Sequence, residues 1–262
     1  MLDILERLAV LGGVEILEVR ARHFTVGHKA DGSPVTEADQ RAEQVIVSGL
    51  SEHFPEIPVV AEEMVAAGVM PQTLGEQFFL VDALDGTKEF CSGRDEFTVN
   101  IALIHKSIPV LGVVYSPALK VLYSGEHDGA GKGVASRCVV SNAGKLVKRE
   151  MIETRPSRDP QTIVATRSHM TPETKEYLEC CSGADLRSIG SSLKFCLLAA
   201  GEADLYPRFG TTMEWDTAAG DAILRAAGGA TNTMDELPLT YGKRGQAGMA
   251  DFQNPYFVSR GG

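Results

Sequence analysis

A short apolar run in the first third of the chain ends in two aspartates, Asp82 and Asp85, that enter a Gly-Thr turn. The run, residues 78–81, predicts a strand that stops where the acids begin. Carboxylates three residues apart on an irregular turn can converge on one point, and the Leu84 carbonyl between them can face the same point. Because hard cations such as Mg²⁺ prefer oxygen ligands, the segment predicts a cation site at the end of a strand.

Two other segments place acids at the ends of predicted elements. An apolar run ends in the pair Glu62-Glu63, and Asp216 follows the only tryptophan, just before a helix of small residues. Each signal has an ordinary alternative: a glutamate pair is usually a solvated surface, Asp-x-x-Asp in a turn often caps backbone amides, and Asp216 suits an N-cap before Thr217. Three such clusters in one chain favour a site that holds more than one metal ion.

Size and charge limit the function. A chain of 262 residues suits one large domain or two small ones tightly joined. Its 44% hydrophobic content fits a soluble globular protein. The net charge of −10 argues against a nucleic-acid polymer as partner, whereas a small phosphorylated substrate stays compatible because metal ions and lysines can dominate the local field.

The sequence shows no signal-peptide pattern and no long apolar segment, and so predicts neither secretion nor a transmembrane span. Its five cysteines are odd in number and lack the spacing of a metal site. They indicate reduced thiols in the cytosol.

Hydrophobic periodicity predicts a first half of two helices followed by strands. The helices are expected at residues 2–19 and 36–50. A polar stretch at residues 129–160 indicates a boundary between two halves. The strands are expected at residues 58–61, 78–81, 98–105, 110–115 and 121–124.

The second half alternates between strands and helices. Strands are expected at residues 163–165, 186–189 and 203–206. This rhythm implies helices layered on a sheet. The helices are expected at residues 172–179, 192–200 and 217–227.

Taken together, these segments resemble the inositol monophosphatase-like, lithium-sensitive, metal-dependent phosphatase superfamily, and within it the 3'(2'),5'-bisphosphate nucleotidases of CysQ type. The likeness runs from the first helix to Asn254-Pro255. One departure is Ala83, which stands where the family usually has a proline that pre-sets the turn; alanine reaches the same angles at a cost of roughly 0.4–1 kcal/mol. The segments that carry the resemblance are residues 80–90, 96–103, 112–115, 188–196, 206–210 and 215–220.

The resemblance implies a mixed α/β (α+β) fold, a layered α-β-α-β-α sandwich. Residues 1–262 form a single catalytic domain in this interpretation. The half at about 1–150 carries most metal ligands, and the half at about 151–262 carries Asp216 and selects the substrate.

The resemblance also implies two to three Mg²⁺ ions, with Mn²⁺ as a substitute and Li⁺ as an inhibitor. Asp82 bridges the first two ions, and Glu63 supports a third, weaker ion or its waters. Lys29, in the preceding polar loop, either helps to recruit that third ion or is a solvated lysine. The implied ligands are the carboxylates of Glu62, Glu63, Asp82, Asp85 and Asp216 and the carbonyl oxygen of Leu84.

Asp39 and Thr87 are implied as the pair that activates the attacking water. The segment from Thr36 to Asp39 equally fits a helix capping box. Gly86 and Thr87 open a predicted short helix, whose free amides and dipole suit a phosphate oxygen.

Substrate selection is expected from the second half. Lys194 and Arg208 are the cations available for a second phosphate, and Ser191 and Ser192 either bind phosphate or cap a helix. His169 is expected either to contact the nucleotide or to be structural. The full predicted substrate-binding set is Glu62, Leu84, Asp85, Gly86, Thr87, His169, Ser191, Ser192, Lys194, Arg208 and Asp216.

The function implied by the resemblance is Mg²⁺-dependent removal of the 3'-phosphate from 3'-phosphoadenosine 5'-phosphate, giving AMP and phosphate, within sulfate assimilation. The sulfated nucleotide, 3'-phosphoadenylyl sulfate, is a second candidate substrate. The alternatives are an inositol monophosphatase or a fructose-1,6-bisphosphatase, which the segment after Thr87 argues against, and a non-catalytic nucleotide sensor, which the intact acids argue against. The implied location is the cytoplasm, either free or on the inner face of the membrane, as a monomer or homodimer.

Overall fold

The computed structural model describes residues 1–29, 32–129, 133–166, 171–181 and 183–262. Within them, no helix is both long and apolar enough to cross a membrane. The helices are α1 (Leu2–Arg20), α2 (Glu37–His53), α3 (Glu62–Ala66), α4 (Thr87–Cys91), α5 (Pro172–Glu179), α6 (Leu193–Ala199) and α7 (Ala218–Ala226).

The described strands form a two-stranded ribbon and two larger sheets. The larger sheets have the orders β3-β4-β5-β6-β7-β8-β9 and β11-β10-β12-β14-β13, with strand numbers as given next. The strands are β1 (Val26–His28), β2 (Pro34–Thr36), β3 (Val59–Ala61), β4 (Gln77–Asp85), β5 (Thr98–His105), β6 (Ile108–Ser116), β7 (Val121–His127), β8 (Gly133–Val140), β9 (Leu146–Ile152), β10 (Thr162–Ala165), β11 (Asp185–Ser188), β12 (Leu205–Arg208), β13 (Ala230–Thr233) and β14 (Phe257–Arg260).

The central strands of the seven-stranded sheet, β4 to β6, are buried on both faces. Along β4, Phe79 and Val81 join the core cluster formed with α1 and α2, whereas Phe78 and Leu80 join the cluster formed with α6 and α7. This division follows from the strand geometry, in which successive side chains point to opposite faces. An apolar run without polar alternation is therefore what a doubly covered strand requires.

The five-stranded sheet lies on the far side of α6 and α7. Tyr206 and Phe257 contribute to the core shared with those helices, whereas Ile163 and Leu205 pack with residues of α5. The layers are thus α1 and α2, the seven-stranded sheet, α6 and α7, the five-stranded sheet, and α5. The predicted layered α-β-α-β-α sandwich is confirmed.

Close contact between α7 and the seven-stranded sheet depends on glycines. A side chain at Gly112 would collide with the backbone of Ala219, and one at Gly125 would come within 2.9 Å of the Ile223 Cα. Glycine lets the helix backbone approach the strands directly. Because α7 follows Asp216 in the chain, this contact fixes where that acid enters the site.

Several elements differ from the sequence-based expectation, which includes no counterpart of β1, β2, β13 or β14. Residues 133–152, expected to belong to a boundary, form β8 and β9 and complete the seven-stranded sheet. Their polarity reflects an edge, because β9 is largely exposed and edge strands tolerate charged side chains. The expected strand at residues 78–81 continues to Asp85 as β4. That the first half carries most metal ligands and the second half selects the substrate stays a prediction.

Candidate functional site

Acids from three separate elements meet at one end of a cleft. Glu62 begins α3, Asp82 lies in β4, and Asp216 ends a short 3-10 turn before α7. Each of the three offers an oxygen atom within 4.8 Å of the others. Together with Asp85, these residues form what we call the acidic end of the cleft. Acids far apart in sequence are therefore gathered as the predicted metal site requires.

A β-bulge aims the acids of β4. Asp82 pairs with Asn100 and Asp85 pairs with Thr98, so β4 has one residue more than β5 over this stretch. The Oδ1 atom of Asp82 accepts the backbone N–H of Leu84 at 3.0 Å. The bulge thus places both carboxylates at the cleft although they are three positions apart.

The turn after β4 requires glycine. Gly86 has φ 94°, in the left-handed region that glycine adopts without strain. A side chain there would also come within 3.1 Å of the Glu96 carbonyl oxygen. Gly86 is the N-cap of α4, and Thr87 is its first residue, as predicted.

Burial destabilises the charged form of the carboxylates at the acidic end. Loss of solvent raises the pKa of Asp82 well above its ordinary value, and the neighbouring acids raise it further. Burial followed by the charge of Asp85 does the same to the pKa of Asp216. A divalent cation would offset this repulsion, and every donor here is an oxygen of the kind that Mg²⁺ prefers. The residues therefore fit the predicted ion.

Lys29 lies against the same acids. Its Nζ atom is 2.5 Å from a carboxylate oxygen of Glu62 and 2.5 Å from one of Glu63. Burial lowers the pKa of Lys29, but the two ion pairs outweigh burial and the net pKa lies above the ordinary value. Lys29 is thus a cation in direct contact with two predicted metal ligands.

Asp39 serves two partners at once. Its Oδ2 atom accepts the backbone N–H and the hydroxyl of Thr36 at 2.7 and 2.8 Å, which completes the capping box of α2. The Thr87 hydroxyl donates to its Oδ1 atom at 3.0 Å and lies 3.1 Å from the Leu84 carbonyl oxygen. Burial raises the pKa of Asp39, and these hydrogen bonds partly oppose the rise. The capping and pairing interpretations are therefore compatible.

Asp216 does not cap the following helix. Its Oδ2 atom accepts the backbone N–H of Met213 at 2.8 Å within its own turn. The N-cap of α7 is Thr217, which makes no side-chain cap. The carboxylate is held in place by its turn and faces the acidic end.

The same cleft is also lined by cations and hydrogen-bond donors. Ser191, Lys194 and Arg208 form what we call the basic end. Lys194 is 5% exposed, and burial lowers its pKa to about 8 although Asp85 opposes the shift. The Arg208 Nε and the Ser191 Oγ are buried and have no hydrogen-bond partner. Buried polar atoms nearly always have partners, and both residues line the cleft.

Ser192 contacts both Asp85 and the backbone of Asp216. Its backbone N–H donates to Oδ2 of Asp85 at 2.7 Å, and its hydroxyl oxygen lies 3.0 Å from that atom and 2.6 Å from the Asp216 carbonyl oxygen. The amide of Asn100 donates to the same hydroxyl at 2.9 Å. Both donors of Ser192 are therefore engaged within the protein, and its contact with substrate stays a prediction.

Several supporting residues escaped the sequence analysis. Asn100 is a polar residue in an apolar strand, which is a signal in itself, but only the structure shows that its amide donates to Oδ2 of Asp85 at 3.4 Å. Glu214 is fully buried and accepts the backbone N–H groups of Gly242 and Lys243 at 2.5 and 2.9 Å. The Asn254 amide donates to the Met213 carbonyl at 2.8 Å. These contacts fix the turn that carries Asp216.

A single cleft of about 600 Å³ contains both ends. Gly86 and Thr87 also line it, and Tyr206 and Trp215 contribute aromatic side chains. Two predicted site residues lie beside the cleft without lining it: Glu63 contacts Lys29, and Asp39 contacts Thr87. His169 lies outside the described residues.

Comparison with known proteins identifies the family. The model of the inositol monophosphatase family matches residues 1–254. The chain belongs to the inositol monophosphatase family. A relative from Escherichia coli O157:H7, named 3'(2'),5'-bisphosphate nucleotidase CysQ, is 45% identical over 259 residues, which cover 98% of each protein. The predicted family resemblance is confirmed, and the family is one of metal-dependent phosphatases.

Solved structures of this family share the fold. A crystal structure of CysQ from Bacteroides thetaiotaomicron, described as a bacterial member of the inositol monophosphatase family, is 36% identical with a TM-score of 0.77 and covers 99% of this chain and 96% of that one. The Thermotoga maritima IMPase is 24% identical with a TM-score of 0.76, and the match covers 99% of this chain and 91% of that one. At this identity the match shows the shared fold alone.

Proposed function

We propose that this member of the inositol monophosphatase family is a Mg²⁺-dependent 3'(2'),5'-bisphosphate nucleotidase. It removes the 3'-phosphate of 3'-phosphoadenosine 5'-phosphate and yields AMP and phosphate. Relatives that carry the nucleotidase name align with 98% of the chain at 44–45% identity. In this role the enzyme clears a by-product of sulfate assimilation in the cytoplasm.

One observation carries the choice of substrate. The cleft has an acidic end suited to metal ions and a basic end whose Arg208 Nε and Ser191 Oγ are buried without partners. A monophosphate has one anionic group and can engage only one end. A nucleotide with phosphates on both sides of its ribose can place one at each end. The geometry therefore favours a bisphosphorylated substrate.

The acidic end is proposed to hold two to three Mg²⁺ ions. Glu62, Asp82 and the Leu84 carbonyl would hold one ion, and Asp82, Asp85 and Asp216 would hold another. Bound Mg²⁺ would neutralise the phosphoryl oxygens, increase the acidity of water and stabilise the leaving oxygen. Mn²⁺ would substitute, because it also accepts oxygen ligands.

The residues beside the acidic end handle the proton. Asp39 is proposed to accept a proton from the attacking water, which forms the new bond to phosphorus as the bond to the 3'-oxygen breaks. The Thr87 hydroxyl, 3.0 Å away, holds the carboxylate in place. A raised pKa suits a general base, because it brings the carboxylate nearer the operating pH. The departing 3'-oxygen takes its proton from solvent.

The remaining predicted contacts orient the nucleotide. The backbone of Gly86 and Thr87 lines the cleft and would donate to an oxygen of the 3'-phosphate. Arg208, Lys194 and Ser191 would bind the 5'-phosphate, Arg208 through its Nε. Charge-assisted bonds of this kind are stronger than neutral ones, and so they are suited to select for a second phosphate.

A substrate panel tests the proposal. With saturating Mg²⁺, the purified chain should release phosphate from 3'-phosphoadenosine 5'-phosphate far faster than from inositol 1-phosphate, fructose 1,6-bisphosphate or 3'-AMP. Chelation of the metal should stop the release. Equal rates on inositol 1-phosphate would contradict the substrate assignment, and unchanged rates in EDTA would contradict the role of the metal.

The same assay resolves the finer points. 3'-Phosphoadenylyl sulfate enters the panel as a second substrate, because its sulfate lies beyond the 5'-phosphate and leaves both ends engaged. Li⁺ should inhibit, since a monovalent ion at the acidic end neutralises less charge on the leaving oxygen. An initial rate that ignores Li⁺ at millimolar concentration would contradict that expectation.

A further inference from the structure

Glu43 supports the metal-binding segment without belonging to it. It lies in α2, one turn after Asp39, and is 5% exposed. Its Oε2 atom accepts the backbone N–H of Glu63 at 2.7 Å, and its Oε1 atom accepts that of Met64 at 2.9 Å. Both oxygens are thus occupied by the residues that follow Glu62.

These hydrogen bonds replace a missing helix cap. The first amides of a helix have no partner within the helix, and a local Ser, Thr, Asp or Asn usually supplies one. Helix α3 begins at Glu62, and its N-cap residue, Ala61, has no side chain that can do so. Glu43 therefore caps α3 from a neighbouring helix and ties the two together.

Stability alone does not account for this residue. A cap contributes about 1 kcal/mol, and a serine at position 61 could provide it locally. Glu43 instead places a buried carboxylate next to the partly buried Glu62 and Glu63, where like charges repel. Both Glu43 oxygens accept hydrogen bonds from successive amides of α3. Unlike a local cap, these two bonds fix the rotation of the first turn of α3 relative to β4.

We propose that Glu43 is a positioning residue for the acidic end. By holding the first turn of α3, it directs the Glu62 carboxylate toward Asp82 and Asp216 and so sets the affinity of the site for divalent cations. This inference rests on the proposed function, because it takes the acidic end to be the Mg²⁺ site. Groups that orient metal ligands from outside typically change metal affinity by about 10- to 100-fold when they are lost.

Glu43→Gln tests the inference with little change in volume. Glutamine presents an amide group in place of one acceptor, so one of the two backbone N–H groups loses its partner. We expect the dissociation constant for Mn²⁺, measured by calorimetry on the metal-free protein, to rise about 10-fold. The Mg²⁺ concentration for half-maximal phosphate release should rise in parallel, while the rate at saturating Mg²⁺ stays near that of the unchanged protein.

The matched control is Glu52→Gln. Glu52 lies in the same helix and is exposed, so the substitution makes the same chemical replacement away from α3. It should leave Mn²⁺ binding unchanged. If Glu43→Gln lowers the unfolding temperature in EDTA but binds Mn²⁺ like the control, Glu43 is merely structural and the proposal is overturned.

Glu43→Asp covers the case in which the glutamine variant does not fold. It keeps the charge but is one methylene too short to reach both amides, and it should also weaken Mn²⁺ binding. Unchanged affinity in this variant would overturn the proposal. The titration needs no nucleotide, so a protein that binds Mn²⁺ without hydrolysing the bisphosphate would contradict the proposed function while the Glu43 result still decides the positioning role.

Discussion

The acidic end and the basic end of the cleft are built on opposite principles. At the acidic end, carboxylates converge within 4.8 Å, and burial with mutual repulsion raises the pKa of Asp82 and Asp216. At the basic end, Lys194 and Arg208 are buried, and the Arg208 Nε and the Ser191 hydroxyl have no hydrogen-bond partner among the described residues. The acidic end concentrates negative charge that a cation can neutralise. The basic end offers positive charge and hydrogen-bond donors to an anion.

This contrast separates chemistry from recognition. Substitutions at the acidic end should remove turnover for every phosphate ester, because they remove the ions that act on the scissile group. Substitutions at the basic end should change which ester is preferred and leave the chemical step intact. Each prediction below tests that separation.

Asp82→Asn should have the largest effect. It removes the carboxylate shared by the principal metal ions and should lower kcat roughly 1000-fold, since bound metal contributes several kcal/mol to the barrier. The same change should raise the unfolding temperature of the metal-free protein, because the neutral side chain escapes the repulsion that raises the pKa of Asp82. Phosphate release and thermal unfolding in EDTA measure the two effects. A fall in both would contradict the charge argument.

Asp39→Asn should reduce kcat by about 100-fold or more, the usual contribution of a general base. Because Asp39 is outside the converging acids, Mn²⁺ affinity should stay the same. Thr87→Ser keeps the hydroxyl bonded to Asp39 and serves as the control, with a much smaller loss. An altered Mn²⁺ affinity in Asp39→Asn would instead assign the residue to metal binding.

Arg208→Gln should impair only bisphosphorylated substrates. Loss of a charged hydrogen bond costs about 1.5–3 kcal/mol, so kcat/KM for 3'-phosphoadenosine 5'-phosphate should fall about 10- to 100-fold. The slower hydrolysis of 3'-AMP should not change, because that substrate has no 5'-phosphate. Equal losses on both substrates would show that Arg208 acts on the reacting phosphate, and the contrast between the two ends would fail.

The pH profile tests the basic end through a smaller expected effect than a substitution. The pKa of Lys194 is lowered from its ordinary value to about 8, so its positive charge is present below that pH and is lost as pH rises through it. For 3'-phosphoadenosine 5'-phosphate, kcat/KM should therefore decline above pH about 8, whereas for 3'-AMP it should not decline through this group. Parallel profiles for the two substrates would contradict the role of Lys194.

Ala83→Pro should have the smallest effect. It restores the residue usual in the family between the two acids of β4. If alanine already has a backbone angle that proline accepts, the free energy of unfolding should rise by about 0.4–1 kcal/mol and kcat should be unchanged. Denaturant unfolding measures the gain. A loss of stability would show that the Ala83 N–H or backbone angle matters to the bulge.

Much of the fold followed from local sequence. The apolar run of β5 and the proline-initiated helix α5 have the bounds predicted for them, because period and capping signals are strong there. β8 and β9 escaped prediction because an edge strand carries polar side chains and shows little hydrophobic pattern. The order of the layers came from the family resemblance, since strand pairing between distant segments leaves no periodic trace.

The candidate site shows the same limit at the scale of single residues. Acids at the ends of elements could be recognised individually, and the structure gathers Glu62, Asp82 and Asp216 as expected. Glu43 and Asn100 could not be recognised, since their roles depend on helix packing and on strand register. Ser192 was predicted either to bind phosphate or to cap a helix, and only the three-dimensional arrangement reveals that its backbone N–H and hydroxyl also contact Asp85.

The position of Ser192 has a mechanical consequence. It bonds to a side chain from β4 and lies against the backbone just before α7, with separations of 2.6 to 3.0 Å. A hinge opening of about 1 Å would stretch these contacts beyond hydrogen-bonding range. Ser192 therefore ties the position of the Asp85 carboxylate to the backbone of Asp216, so that neither acid moves without the other.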